Sequence, residues 1–90
     1  MYLEIVSPEA ILYKGNVNSV TVPGILGEFQ MLESHAAIVS LLGKGHVKIN
    51  GEIDLEAYPK FEQKQSSLYW LAINSGTVEI KNDKIIVLVE

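Results

Sequence analysis

The segment Val17-Asn-Ser-Val-Thr-Val-Pro-Gly-Ile-Leu-Gly-Glu-Phe-Gln-Met-Leu32 contains two strand-like runs separated by a turn signal. The first run alternates apolar and hydroxyl side chains, which is typical of a sheet with one solvated face. Pro23 and Gly24 fit the centre of a type II turn, because proline fixes φ at about −65° and glycine accepts the positive φ that follows. Gly27, three residues later, is a second residue that favours a turn over a continuous strand. We therefore expect Glu28, Phe29 and Gln30 to project from an edge or corner of the sheet, where functional loops are often found. The alternative is an ordinary hairpin connection, which every all-β domain needs.

Alternation with a period of two extends over most of the chain, and helical periodicity does not persist. The last two predicted strands are joined by Asn82 and Asp83, which tolerate the left-handed backbone of a tight hairpin turn. The predicted strands are residues 2–6, 10–13, 17–22, 28–32, 35–42, 46–50, 52–58, 68–74, 77–80 and 84–89.

Short strands without a long helical segment favour an all-β fold. We predict an antiparallel β-sandwich or flattened barrel of about nine to ten short strands, with residues 1–90 forming a single domain. Residues 35–42 carry apolar side chains at adjacent positions, which suits a strand covered on both faces and hints at a partner. Residues 46–50 and 52–58 predict a hairpin. Residues 56–67 include a proline and a polar run, and predict an extended loop.

The composition excludes several classes of protein. The 90 residues carry 11 acidic and 7 basic side chains, and the net charge of −4 disfavours binding to nucleic acid. No cysteine is present, which excludes disulfides and thiolate metal sites. The apolar runs 36–39 and 85–89 are far shorter than the ~20 residues of a membrane-spanning helix. The N-terminus also lacks the features of a secretory or transit signal, so any membrane role is expected to be peripheral.

Histidines and aromatic residues are the side chains that could support catalysis or ligand binding. His35 and His46 have no Cys, Asp or Glu at metal-ligand spacing, so no metal and no cofactor are expected. Acid–base chemistry needs a second polar group in a pocket, and the sequence identifies none, so no catalytic residue is predicted. Tyr69 and Trp70 could form a sugar-stacking face, but aromatic residues in a late strand are more often core, and we predict core positions for both.

An ordered set of motifs covers nearly the whole chain. It comprises Leu3-Glu-Ile-Val-Ser-Pro-Glu9, Gly15, Val20-Thr-Val-Pro-Gly24, Gly27-Glu-Phe29, His35-Ala36, Leu41-Leu-Gly-Lys-Gly45, Asn74-Ser-Gly76 and Lys84-Ile-Ile-Val-Leu-Val-Glu90. In this order and spacing, the motifs resemble the N-terminal β-sandwich domain of the epsilon subunit of F-type ATP synthase, which is called delta in mitochondria. The resemblance implies a non-catalytic subunit of a proton-transporting complex.

The resemblance also implies a contact with the c ring. Family members form the foot of the rotating central stalk, where they rest on the membrane-embedded ring of c subunits and couple ion translocation to ATP synthesis. Gly27, Glu28, Phe29 and Gln30 match the family's loop that faces this ring. Glu28 is the expected contact, because a carboxylate can accept charge-assisted hydrogen bonds from Arg or amide groups.

The second implied partner is the gamma subunit of the stalk. Ser7, His35 and Ser40 fall at positions where family members meet gamma, and the segment from Ala36 to Leu42 would supply apolar contact area. The chain would then be membrane-associated only through the complex, at the cytoplasmic face of the cell membrane, or at the stromal face if it is encoded in a plastid.

The sequence departs from the family pattern at several positions. Gln30 and Ala37 replace a common glycine and a common proline, and residues 54–67 exceed the usual connection. Many family members continue into a two-helix hairpin that restrains ATP hydrolysis, whereas this sequence stops at Glu90. If these residues are the whole protein, the resemblance implies coupling and assembly without inhibition by a hairpin.

Two other classes of protein remain open from the residues alone. One is a small biotinyl- or lipoyl-type carrier domain, because Lys84 follows the Asn82-Asp83 turn, although carrier domains place the modified lysine between two similar halves. The other is a free-standing sandwich that binds a ligand such as a carbohydrate. Such a sandwich would need an exposed aromatic platform.

Overall fold

The computed structural model describes residues 1–32 and 36–90, and these residues form strands, turns and loops without a helix. The strands in chain order are β1 (Tyr2–Val6), β2 (Ile11–Asn16), β3 (Ser19–Gly24), β4 (Gly27–Met31), β5 (Ile38–Leu42), β6 (Gly45–Asn50), β7 (Glu62–Gln65), β8 (Leu68–Ile73), β9 (Gly76–Lys81) and β10 (Lys84–Val89). The expected all-β fold is confirmed.

One curled sheet connects the strands in the order β2-β1-β10-β9-β5-β3-β6-β8-β7, and β4 is added to β3. The pairs are antiparallel except for β1 and β10, which are parallel with Tyr2 opposite Lys84. The predicted sandwich or flattened barrel was antiparallel, and this pair is an exception to that arrangement. Because β1 and β10 are the first and last strands, no short hairpin joins them, and their relative direction is not imposed by a local turn.

The core lies inside the curl of the sheet, where alternate residues of the strands meet. Tyr69 is buried there as predicted, but the neighbouring Trp70 is only partly buried. Successive side chains of a strand point to opposite faces, so a core position for Tyr69 excludes one for Trp70. The largest fully buried side chains are Leu3, Ile5, Val20, Val22, Met31, Val47, Ile49, Val78, Ile85 and Val87.

The first predicted turn lies two residues later than expected. Pro23 and Gly24 continue β3, Gly24 pairs with Gly27, and residues 25–26 form the turn. The positive φ of 135° belongs to Gly27 and not to Gly24. Gly24 is needed for another reason, because a Cβ there would lie 2.9 Å from Cε1 of Phe29 across the hairpin. The turn at residues 82–83 is confirmed, with φ values of 53° and 61°.

The predicted strand at residues 52–58 is absent, and β6 pairs with β8 instead. The side chain of Asp54 accepts a hydrogen bond from the Glu56 amide at 3.0 Å, and its carbonyl accepts one from the Tyr58 amide at 2.9 Å. These local bonds favour a turn over a strand. The predicted loop at residues 56–67 is interrupted by β7, which pairs with β8.

The segment 51–61 bridges the two ends of the sheet. Phe61 is buried, and its ring meets the ring of Tyr13 on β2 at a centroid distance of 5.8 Å. Tyr58 stacks edge-on against Tyr13 at 4.9 Å and donates a hydrogen bond from its hydroxyl to the Lys14 carbonyl at 3.3 Å. Since the same segment leads into β7, it closes the gap between β2 and β7 with aromatic side chains.

Tyr13 is expected to make the chain less stable at alkaline pH. Burial, with the neighbouring Tyr58 and Tyr2, raises the pKa of its phenol above the ordinary value. An unfolded tyrosine loses its proton at about pH 10, whereas the folded one keeps it, so stability falls as the pH rises through that range. We expect Tyr13→Phe to lose less stability between about pH 9 and pH 11 than the unchanged chain in urea titrations. Identical losses would contradict this prediction.

Candidate docking surfaces

A row of apolar side chains crosses the outer face of the sheet. The register places Leu41 of β5 opposite Thr77, Thr77 opposite Leu88, Leu88 opposite Val6, and Val6 opposite Ile11. Directly paired residues share a face of the sheet, so Leu41, Thr77, Leu88 and Val6 lie side by side. Ile11 follows Val6 across a register shift between β1 and β2. Leu41, Leu88 and Ile11 are 60%, 52% and 56% exposed. We call these five residues, four of them apolar and one a threonine, the apolar row.

Two open grooves flank the Leu41 end of the apolar row. One, of about 690 Å³, runs from Ser7 and Pro8 past Leu88 to Ile25. The other, of about 500 Å³, continues from Ile25 to Leu26, Phe29 and Val39. Ile25 belongs to both grooves, and its amide donates a hydrogen bond to the Leu41 carbonyl at 3.1 Å. The hairpin turn of β3 and β4 is thereby attached to β5, and the apolar surface is continuous.

The expected gamma-contact residues lie partly on this surface. Ser7 lines the larger groove and Ser40 the smaller one, while Ala36 is exposed ahead of β5. Leu42 is 3% exposed, so its side chain belongs to the core even though the residue borders the larger groove. His35 lies outside the described residues.

Most residues of the apolar row were not predicted from the sequence to form a surface. Within the segment 36–42, which was expected to supply apolar contact area, the large exposed apolar side chains are Val39 and Leu41 and not Leu42. The uninterrupted apolar run 85–89 could have indicated that Leu88 lies on the outer face of the sheet. A strand with one buried face needs apolar residues only at alternate positions.

The expected c-ring residues form β4, at the corner beyond the smaller groove. Glu28 and Gln30 are exposed, whereas Phe29, between them, is partly buried against the core. The carboxylate of Glu28 lies 2.9 Å from the Lys48 ammonium, and the Gln30 amide donates a hydrogen bond to the Ser19 hydroxyl at 3.5 Å. Glu28 is therefore a paired surface carboxylate at a sheet corner.

Charged side chains surround Trp70 on the same outer face as Glu28. The ammonium groups of Lys48 and Lys64 lie 4.4 Å and 4.8 Å from the centre of the Trp70 ring, and the His46 ring lies 5.1 Å away. Lys64 also forms an ion pair with Glu62, and its hydrogen bond holds the pKa of that carboxyl below the usual range. Since two cations lie over the indole, Trp70 does not form the open platform of a carbohydrate-binding sandwich.

Other residues give little support to the alternative classes. Lys84 is the first residue of β10, after the turn, and its ammonium lies 3.5 Å from the Glu4 carboxylate. It does not occupy the hairpin tip that a carrier lysine needs. Within residues 1–32 and 36–90, no three His, Asp or Glu side chains are grouped so as to hold a metal ion. The same residues contain no helix with the length and apolar character required to cross a bilayer.

Relatives of known identity match this chain along its length. An ATP synthase epsilon chain from Sulfurimonas denitrificans is 38% identical over 88 residues, which are 98% of this chain and 58% of that protein. One from Leptospira interrogans is 38% identical over 88 residues, and one from Campylobacter jejuni is 39% identical over 85 residues. The chain covers 59% and 57% of those two proteins, respectively, and thus spans less than two thirds of these relatives.

Solved structures share the fold at low sequence identity. A chain in the structure of the Tetrahymena thermophila mitochondrial ATP synthase central stalk and c ring superimposes with a TM-score of 0.71 and 13% identity, over 98% of this chain and 61% of that one. A chain in the Euglena gracilis mitochondrial ATP synthase superimposes with a TM-score of 0.74 and 15% identity, over 97% of this chain and 48% of that one.

The family described as "ATP synthase, Delta/Epsilon chain, beta-sandwich domain" matches residues 1–90. Epsilon chains are non-catalytic subunits of ATP synthase, which agrees with the expectation that the chain is not itself an enzyme. The match over every residue, together with the all-β fold, identifies the chain as a member of the ATP synthase delta/epsilon chain β-sandwich family.

Proposed function

We propose that residues 1–90 act as one domain of a central-stalk rotor subunit, joining the gamma subunit to the c ring of an F-type ATP synthase. In this role the chain transmits torque between ion translocation and ATP synthesis without carrying out chemistry. It would lie at the cytoplasmic face of the cell membrane, attached through the complex. Family membership, the names of the relatives and the continuous apolar surface support this proposal.

The apolar row is the observation that carries the proposed joint with gamma. Leu41, Leu88 and Ile11 are each more than half exposed and lie across strands that are distant in sequence. Contiguous exposed apolar surfaces on soluble proteins mark interaction sites, including those for other proteins. Burying about 400 Å² of such surface at about 25 cal/mol per Å² contributes on the order of 10 kcal/mol before the cost of association.

Co-expression with a cognate gamma subunit tests this joint directly. We expect a one-to-one complex that survives gel filtration at high salt, because an apolar interface is little weakened by ionic screening. A chain that elutes alone while gamma is folded would exclude the proposed joint.

Glu28 is the proposed contact with the polar loops of the c ring. The residue projects from the β4 corner, next to the smaller groove, and is half exposed. Lys48 binds one carboxylate oxygen, and the other can accept a hydrogen bond from an adjacent chain. Glu28 would therefore accept a hydrogen bond from the c ring, while the apolar row would contact the gamma subunit.

Removing the charge of Glu28 should weaken ring docking selectively. We expect Glu28→Gln to lower the affinity of the gamma-bound subunit for isolated c rings about tenfold, because the amide oxygen can still accept a hydrogen bond but without the help of a negative charge. Binding to gamma should not change. The matched control is Glu62→Gln, which removes another lysine-paired carboxylate at a distance from β4. Equal effects of the two variants would contradict a specific role of Glu28.

A further inference from the structure

We infer, on the basis of the proposed c-ring contact, that Lys48 is a positioning residue that neutralises and orients Glu28 for docking on the ring. Lys48 belongs to β6, and its ammonium lies between the Glu28 carboxylate, at 2.9 Å, and the Trp70 ring, at 4.4 Å. Neither Lys48 nor Trp70 belongs to the β4 corner itself.

Glu28, Lys48 and Trp70 lie on strands that differ in how many neighbouring strands they pair with. Among the described strands, β4 pairs with β3 alone, whereas β6 is hydrogen-bonded on both sides, to β3 and β8. Lys48 lies directly opposite Trp70 in the β6–β8 register. The side chain of Lys48 is 27% exposed and that of Glu28 is 50% exposed. The ion pair therefore ties a half-exposed carboxylate on an edge strand to a better-covered cation in the interior of the sheet.

Neutralisation matters because docking removes water from Glu28. Covering an unpaired carboxylate with another surface has a large unfavourable desolvation free energy, whereas for a paired carboxylate this free energy is much smaller. An ordered side chain also loses less rotamer freedom on binding. Since Lys48 already balances the charge, the remaining carboxylate oxygen best fits a neutral hydrogen-bond donor, such as backbone or side-chain amides of a polar loop on the ring.

Lys64 provides a matched comparison on the same indole. Its ammonium lies 4.8 Å from the Trp70 ring and is paired with Glu62, whereas Lys48 is paired with Glu28. Both lysines contact the same aromatic ring and an acidic partner. Substitution of either one by methionine keeps an unbranched stem and removes the terminal ammonium group, so the comparison isolates the contact with Glu28.

The test measures the affinity of the reconstituted gamma-bound subunit for purified c rings. We expect Lys48→Met to lower the affinity about tenfold, as an unpaired carboxylate must then be buried, and Lys64→Met to leave it unchanged. In the Glu28→Gln background, Lys48→Met should have no further effect, because its influence passes through Glu28. Lys48→Arg, which keeps the charge, should restore most of the affinity. Should Lys48→Met fail to fold, Lys48→Gln replaces it.

The outcomes separate this role from the proposed contact itself. If Glu28→Gln lowers affinity and Lys48→Met does not, Glu28 touches the ring but Lys48 has no part in docking. A gain in affinity for Lys48→Met also overturns the role, because Lys48 would then be competing with a cation of the ring. If Glu28→Gln has no effect, the c-ring contact lies elsewhere and the proposed function fails at that surface.

Discussion

Replacing Leu41 and Leu88 together by aspartate is expected to abolish the complex with the gamma subunit. Both side chains belong to the apolar row, and both are more than half exposed in the isolated chain. Covering each new carboxylate with an apolar partner surface would cost several kcal/mol, since the lysines of the three ion pairs described above are already paired with Glu28, Glu62 and Glu4. At about 1.4 kcal/mol per tenfold change, two such costs raise the Kd by at least about a thousandfold.

The fold should tolerate this double substitution, because the new charges face solvent when gamma is absent. The control adds the same charge elsewhere, through Leu32→Asp with Leu55→Asp, at two exposed leucines that line neither groove of the row. Co-purification with gamma and thermal unfolding of each isolated variant separate loss of docking from loss of folding. Retention of gamma by the Leu41 and Leu88 variant would refute the assignment of the apolar row.

The strands were the most predictable part of the structure. The first and last strands, Tyr2–Val6 and Lys84–Val89, have the predicted limits, because each is a regular run ended by a clear turn signal. The Asn82-Asp83 turn was also predictable, since these residues adopt positive φ more readily than others. Local backbone chemistry decides such features, and it can be read from a few neighbouring residues.

Features that depend on distant strands could not be predicted. The alternation of Val6, Ile11 and Leu88 indicates which residues share a face of their own strand, but not that β1, β2 and β10 lie side by side. The apolar row therefore becomes visible only through the register. The partial burial of Trp70 was readable from its own strand, since Tyr69 and Trp70 are neighbours and point to opposite faces, but the cationic neighbours of its ring come from β6 and β7 and were not. Glu28 could be named from the family resemblance, but its pairing with Lys48 could not.

Phe61→Ala is expected to destabilise the chain more than any change on the outer surface. Phe61 is buried among core residues, and its ring packs on Tyr13 where residues 51–61 bridge the ends of the sheet. Truncation of a buried phenylalanine typically costs about 3–5 kcal/mol, through lost burial and the cavity that remains. Small domains have about 5–15 kcal/mol of stability in total, so this loss is a large fraction. Urea unfolding should report it as a lower midpoint with a similar slope.

The loss of stability in Phe61→Ala tests whether residues 51–61 help to close the sheet or are an insertion on its surface. Tyr58→Phe removes only the hydroxyl that bonds to the Lys14 carbonyl and keeps the ring against Tyr13, so a loss of about 1 kcal/mol is expected. If segment 51–61 were an insertion resting on the surface, both variants would unfold at the midpoint of the unchanged chain. A large loss for Phe61→Ala with unchanged gamma binding would instead assign the segment to closing the sheet, since its aromatic side chains face Tyr13 and not the apolar row.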